Sequence, residues 1–186
     1  MDSADVAPTS LNQLVAQYDK WRRIYSLLGE LPRDEAVWDG TRLHLRAGYP
    51  QPGWTGYIIE PEGSGCSVSA VTSERRNEPI ESLSGYFSSV DDAGKYIVLK
   101  TGESLRIRLR LDPIEWGWED AGLDHRVRQV SLDRYVSKFE LKDDPSTYIV
   151  LQVGGDQPES KLLTLTYNEL DDLLLDGMPE SVLSQI

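Results

Sequence analysis

The sequence predicts a single α+β domain, in which a mostly antiparallel sheet packs with an N-terminal helix, a central helix and a C-terminal helix. Three observations carry this. An apolar stripe at helical spacing runs through residues 11–28, residues 36–87 change to a period of two broken by tight turns, and capped helical patterns return near residues 90 and 167. Turns that short join antiparallel neighbours, because parallel strands need a long crossover. A length of 186 residues suits one domain spanning 1–186 with its own core, residues 1–9 being read as a flexible tail.

The elements follow in order. In "SLNQLVAQYDKWRRIYSLLGE", Leu11, Leu14, Val15, Tyr18, Trp21, Tyr25 and Leu28 recur at three- and four-residue steps. Ser10 and Gln13 have capping-box spacing, Gly29 supplies a stop, and Arg22 and Arg23 lie toward the end where cations suit the helix dipole. "AVWDGTRLHLR" carries Asp39-Gly40 between extended pieces, a hairpin signal. "TGYIIE" and "CSVSAVT" flank the turn "PEGSG", and "PIESLSGYFSS" adds a strand. "SSVDDAGKYIVLKTG" reads as a helix from Ser89 and Asp92 to Gly102, although Gly94 weakens it. "SLRIRLRL" returns to alternation and reads as a strand, as do "DRYVSKFEL", "TYIVLQV" and "KLLTLTY", with "DDPS" and "GGDQPES" as turns. Thr166 and Glu169 have capping-box spacing before a helix that turns Leu170, Leu173 and Leu174 inward. Gly177 and Pro179 end it, and "ESVLSQI" adds one more turn.

Composition narrows the function. With 19 Lys and Arg against 31 Asp and Glu, the net charge is −12. That argues against nucleic acid, whose binding needs cations to displace counterions, and against an anionic membrane surface. Residues 112–124 carry five acids and no base, and residues 162–186 carry five more, so ten of the net twelve charges lie in two segments. Acidity of this kind suits a basic protein partner or serves solubility alone. Cys66 is the only cysteine, the N-terminal residues lack a signal-peptide pattern, and no apolar run approaches a membrane span, so a cytoplasmic location is expected.

No catalytic constellation emerges. His44 alternates with Leu43 and Leu45 and reads as one face of a strand, while His125 and Cys66 are distant, so no metal is expected. "EGSGCS" lacks the third glycine and the following helix of a dinucleotide fingerprint, and "GCSVS" lacks the closing glycine of a nucleophile elbow. An acid–base pair among Glu115, Glu119, Asp120 and Asp124 would need environments that push two pKa values apart, whereas clustered acids beside glycine are commonly solvated. The expectation is a binding protein, with no enzymatic activity and no cofactor.

The stretch "DPIEWGWEDAGLD" is the candidate contact. Read as an extended loop, it places Trp116 and Trp118 on one face, either as a structural corner with its acids paired to Arg106, Arg108 and Arg110, or as a surface that grips another protein. "AGYPQPGWTGY" offers a second aromatic loop through Tyr49 and Trp54, stiffened by proline. The expected partner-binding residues are therefore Glu115, Trp116, Trp118, Glu119, Asp120, Asp124, Tyr49 and Trp54, on one surface or on two.

The central stretch "VSAVTSERRNEPIESLSGYFSSVDDAGKYIVLKTGESLR" resembles the middle of actinobacterial immunity proteins, the antitoxin partners of necrotizing-type NAD glycohydrolase toxins. The matching features are Thr72, Ser73, Arg75, Lys95, Tyr96, Gly102 and Arg106, and "VWDGTRLHL" and "GWTGYIIE" are similar to the family's first hairpins. They cover about a third of the chain, and neither the Trp-acid stretch nor "NELDDLLLDGMPESVL" has a counterpart. The resemblance implies a cytosolic inhibitor that binds a cognate secreted toxin and occludes its active site; a monomer or weak dimer is expected when the chain is free. The alternatives are a secretion-system chaperone or adaptor, which would expose an apolar groove, and a small carboxylate-dependent hydrolase.

Overall fold

The computed structural model describes residues 9–73, 78–152 and 158–186. Most of the expected tail, Arg75 and residues 154–157 of the turn "GGDQPES" lie outside the described residues, as does the side chain of Ser10.

A 3-10 turn at Thr9–Leu11 leads into helix α1 (Asn12–Leu27), which Leu28 and the positive-φ Gly29 terminate. Eight antiparallel strands form one sheet: β1 (Val37–Trp38), β2 (Leu43–Ala47), β3 (Thr55–Glu62), β4 (Gly65–Thr72), β5 (Ile80–Phe87), β6 (Val127–Asp133), β7 (Val136–Leu141) and β8 (Tyr148–Leu151). Their order is β1-β2-β3-β4-β5-β8-β7-β6, so the second meander joins the first through β8. Between the meanders lie α2 (Val90–Arg108) and α3 (Ile114–Ala121); after them come a 3-10 helix at Pro158–Thr164, α4 (Tyr167–Leu175) and α5 (Glu180–Leu183). The fold is α+β.

Local chemistry fixes the clearest boundaries. Asp39 Oδ1 accepts from the amides of Thr41 and Arg42, and Gly40 takes a positive φ, which closes the β1–β2 hairpin. Ser89 caps α2 through the amide of Asp92, and Thr166 and Glu169 form a reciprocal capping box at α4.

Register puts Leu43, Ile59 and Val68 in one row across the sheet, and Cys66, Phe87, Ile149 and Phe139 in the next. These side chains are buried with Leu14, Trp21 and Ile24 of α1 and with Ala93, Ile97 and Leu105 of α2, which makes one continuous core. Cys66 lies inside it, and burial pushes its thiol up to about 12. The opposite face is polar: Arg42 meets Glu60 and Glu81, Lys138 meets Glu140 at 2.6 Å, and His44 sits 2.7 Å from Asp39.

α2 is buried for most of its length, and its buried polar groups bind the C-terminal elements. Lys95 Nζ donates to the carbonyls of Leu162 (2.6 Å) and Leu165 (2.9 Å) and pairs with Asp92. Arg106 donates to the carbonyls of Asp112, Leu174 and Asp176 and so caps the C-terminal end of α4. Two glycines allow close approach: a Cβ at Gly94 would come within 1.9 Å of the Tyr167 hydroxyl, and one at Gly102 within 2.7 Å of a Leu174 methyl.

Four expectations are corrected. Gly102 does not end the central helix, and "SLRIRLRL" is not a strand. α2 continues to Arg108, because Leu105 and Arg106 complete its buried face and Arg110, with φ 60°, makes the turn that follows. "KLLTLTY" is not a strand either: consecutive Leu162 and Leu163 are both buried in the 3-10 helix, which alternation forbids. β6, at the sheet edge, was not anticipated. Leu170 and Leu174 face inward as expected, but Leu173 is 39% exposed.

Candidate functional site

The Trp-acid stretch is helical. Pro113 precedes α3 with fixed φ, the Ile114 amide donates to Glu103 Oε1 of α2 (2.7 Å), and Gly122 ends the helix at φ 68°. A helix rotates residues i and i+2 by about 200°, so Trp116 and Trp118 point to opposite sides. Trp118 is 9% exposed and joins the core with Ile114, one turn back, packed against it, while Trp116 is 59% exposed. The expectation of one shared face assumed an extended loop, and the helix overturns it.

The acids divide in the same way. Glu115 turns inward to Lys100 of α2 (2.6 Å), which also holds Glu159 of the 3-10 helix (2.7 Å). Burial works against the charge on Lys100, but the two carboxylates outweigh it and hold the ammonium above its ordinary range. Burial likewise raises the Glu115 carboxyl, with Lys100 opposing. Asp124 accepts two hydrogen bonds from the Arg126 guanidinium at 3.0 Å, which holds its carboxyl well below the usual range. Glu119 and Asp120 are exposed beside Trp116.

The expected pairing with Arg106, Arg108 and Arg110 is not what the structure shows. Arg106 binds backbone carbonyls, Arg108 reaches Glu30 at 3.0 Å, and Lys100, absent from the expected pairing, steadies α3.

Beneath α3 lies a cavity of about 260 Å³ between Trp118, Leu123, Phe139 and Pro158, with Glu119 and Ser160 at its polar edge. Together, exposed Trp116, Glu119 and Asp120 and the half-exposed Leu123 form an acid-rimmed aromatic surface on α3 beside an apolar recess.

Tyr49 and Trp54 form a second surface. Their rings meet edge to face at 5.4 Å, and the Arg46 guanidinium lies 4.3 Å from the Tyr49 ring centre and 5.6 Å from that of Trp54. This cluster sits at the end of β2 and in the connection to β3, whereas α3 contacts the 3-10 helix that touches β6, β7 and β8. The sheet order therefore sets the two aromatic surfaces toward opposite ends. Two exposed residues at the β6–β7 turn, Leu132 and Tyr135, went unforeseen because β6 itself did. Among the described residues, no three His, Cys, Asp or Glu side chains are grouped to hold a metal ion, and no helix is long and apolar enough to cross a membrane.

The residues that carry the family resemblance are framework. Thr72 ends β4, Ser73 is buried and accepts from the Gly53 amide (3.1 Å), and Tyr96 packs against Phe87 at 5.3 Å. Lys95, Gly102 and Arg106 tie α2 to the 3-10 helix and α4.

No family model matches the sequence, and none of the curated proteins matches it. Among solved structures, Rv3902c from M. tuberculosis is similar, with a TM-score of 0.57 at 15% identity, covering 94% of this chain and 91% of that one; the likeness is one of fold.

Proposed function

We propose that this chain is an immunity protein: it binds a cognate secreted toxin, an NAD glycohydrolase in the family it resembles, and blocks the active site without chemistry of its own. The observation that carries this reading is the outward face of α3, where Trp116 stands beside Glu119 and Asp120 next to the recess at Leu123. An aromatic anchor with an acidic rim suits a cationic cleft built for a phosphate-bearing substrate. One further point supports it. The resemblance falls on residues that hold α2 within the fold, which is where a shared architecture would leave its mark in sequence.

The test is co-expression with the toxin encoded by the neighbouring reading frame. Copurification and rescue of growth are expected, and the Trp116→Ala, Glu119→Lys, Asp120→Lys variant should lose at least about 100-fold in affinity, or ~3 kcal/mol, with its thermal unfolding nearly unchanged. Failure of the wild-type chain to bind or neutralise that toxin overturns the reading. Wild-type capture by the folded triple variant removes α3 from the interface.

A further inference from the structure

A second cleft, unrelated to α3's outer face, lies where the helix-facing side of β3, β4 and β5 meets α2. Its volume is about 330 Å³, near the lower end of the ~300–1,000 Å³ typical of small-molecule pockets. Arg33, Lys100, Tyr57, Thr72, Ser82 and Ser104 bring two cations and four hydroxyls to its wall, and Gly56 and Ala70 leave the floor open. Among the described residues no carboxylate lines it, in a chain with 31 acids and a net charge of −12.

The two cations differ. Lys100 is neutralised by Glu115 and Glu159. Arg33 makes no ion pair among the described residues: its guanidinium meets the Tyr18 hydroxyl, a neutral partner, and its buried Nε has no hydrogen-bond partner. Its guanidinium lies 5.9 Å from the centre of the Tyr57 ring. Neighbouring carboxylates are engaged elsewhere: Asp34 accepts from the Tyr49 amide (2.9 Å), and Glu35 faces Arg22. The Thr72 hydroxyl, on the same wall, is also buried without a partner. Half-buried guanidinium left without a carboxylate is costly unless something anionic satisfies it, and its planar fork matches the two oxygens of a carboxylate or phosphate.

We propose that this cleft binds a compact oxyanion, a carboxylate or phosphate group, with Arg33 as the principal charge partner and the hydroxyls of Thr72, Ser82 and Ser104 around it. The site is distinct from the outer face of α3, although Lys100 in its wall also holds Glu115 on the inner side of that helix.

The experiment titrates the full chain with inorganic phosphate, with acetate and with chloride at constant ionic strength, following backbone amide shifts by NMR. Saturable shifts centred on Gly56, Ala70 and Ser104 are expected for phosphate or for acetate but not for chloride; which of the two binds tighter assigns the group. Arg33→Gln should weaken that binding at least about tenfold. Ser104→Asp supplies a carboxylate to the same wall and should abolish it, which decides the matter if Arg33→Gln fails to fold. Absence of saturable shifts with both oxyanions overturns the proposal, and so does undiminished binding by either folded variant. Toxin capture by the wild-type chain is measured independently, so the two readings fail separately.

Discussion

Truncating the two tryptophans of α3 one at a time separates folding from binding. Trp118 is 91% buried by its 9% exposure and packs with the core, whereas Trp116 is 59% exposed. A buried tryptophan covers ~150–250 Å², which at ~25 cal/mol per Å² is worth about 4–6 kcal/mol in full burial. Truncation to alanine in cores costs about 3–5 kcal/mol, and α3 is a short, peripheral helix that relaxes locally, so Trp118→Ala is expected near the lower end, ~3 kcal/mol. For a domain of this size each kcal/mol moves Tm by roughly 2–4 °C, which gives a drop of about 6–12 °C. Trp116→Ala removes mostly solvated surface and should stay within about 0.5 kcal/mol, or 1–2 °C. Thermal unfolding followed by circular dichroism at 222 nm measures both. Equal shifts, or a larger one for Trp116→Ala, would refute the helical placement of "DPIEWGWEDAGLD".

Two other outcomes follow from buried groups. Glu103 is buried, one oxygen accepting from the Ile114 amide and the other without a partner, and burial raises its carboxyl above the usual range despite the amide bonds. A raised folded pKa means that the ionised form is penalised in the fold, a cost that builds as pH climbs from the unfolded value to the folded one, is complete above the folded value and vanishes below the unfolded one. Glu103→Gln should therefore melt above wild type at pH 8, with the gap closing as pH falls into the acid range; a gap that widens on acidification contradicts the assignment. Glycine to alanine inside a helix ordinarily stabilises by about 1 kcal/mol. Gly117, with nothing within 4 Å of its missing Cβ, should show that gain, whereas Gly102→Ala should lose stability because its methyl meets Leu174. Denaturant midpoints of the two variants on opposite sides of wild type are the expected result.

Much of the fold was legible because short-range chemistry specifies it. The Asp39-Gly40 hairpin, the turn before β4 and the Thr166–Glu169 cap each depend on residues within three or four positions of one another. The failures share a different cause. Arg106, Arg108 and Arg110 alternate with apolar residues, so a period of two masked a helix whose buried arginine finds its carbonyls in α4, nearly 70 residues away. Gly102 looks like a stop until Leu174 is seen against it. In the same way, α3 is capped by Glu103 from another helix, and no local spacing marks that bond. β6 was missed because "VRQVSLD" at an edge buries little and so shows little alternation. Of the site, the residue types were legible but their directions were not: the helix sends Trp118 and Glu115 inward, leaving Trp116, Glu119 and Asp120 outside.

Asp171 of α4, itself buried, accepts from the Trp21 indole at 2.8 Å and from Lys20 at 2.6 Å, so α1 is completed by a residue 150 positions later. During translation at ~5–20 residues per second, α1 waits roughly 8–30 s for this buried partner. Until Asp171 arrives, the indole nitrogen lacks its buried acceptor even where the apolar stripe has already packed on the sheet and α2, and a nascent chain arrested before α4 is a ready client for chaperones and proteases.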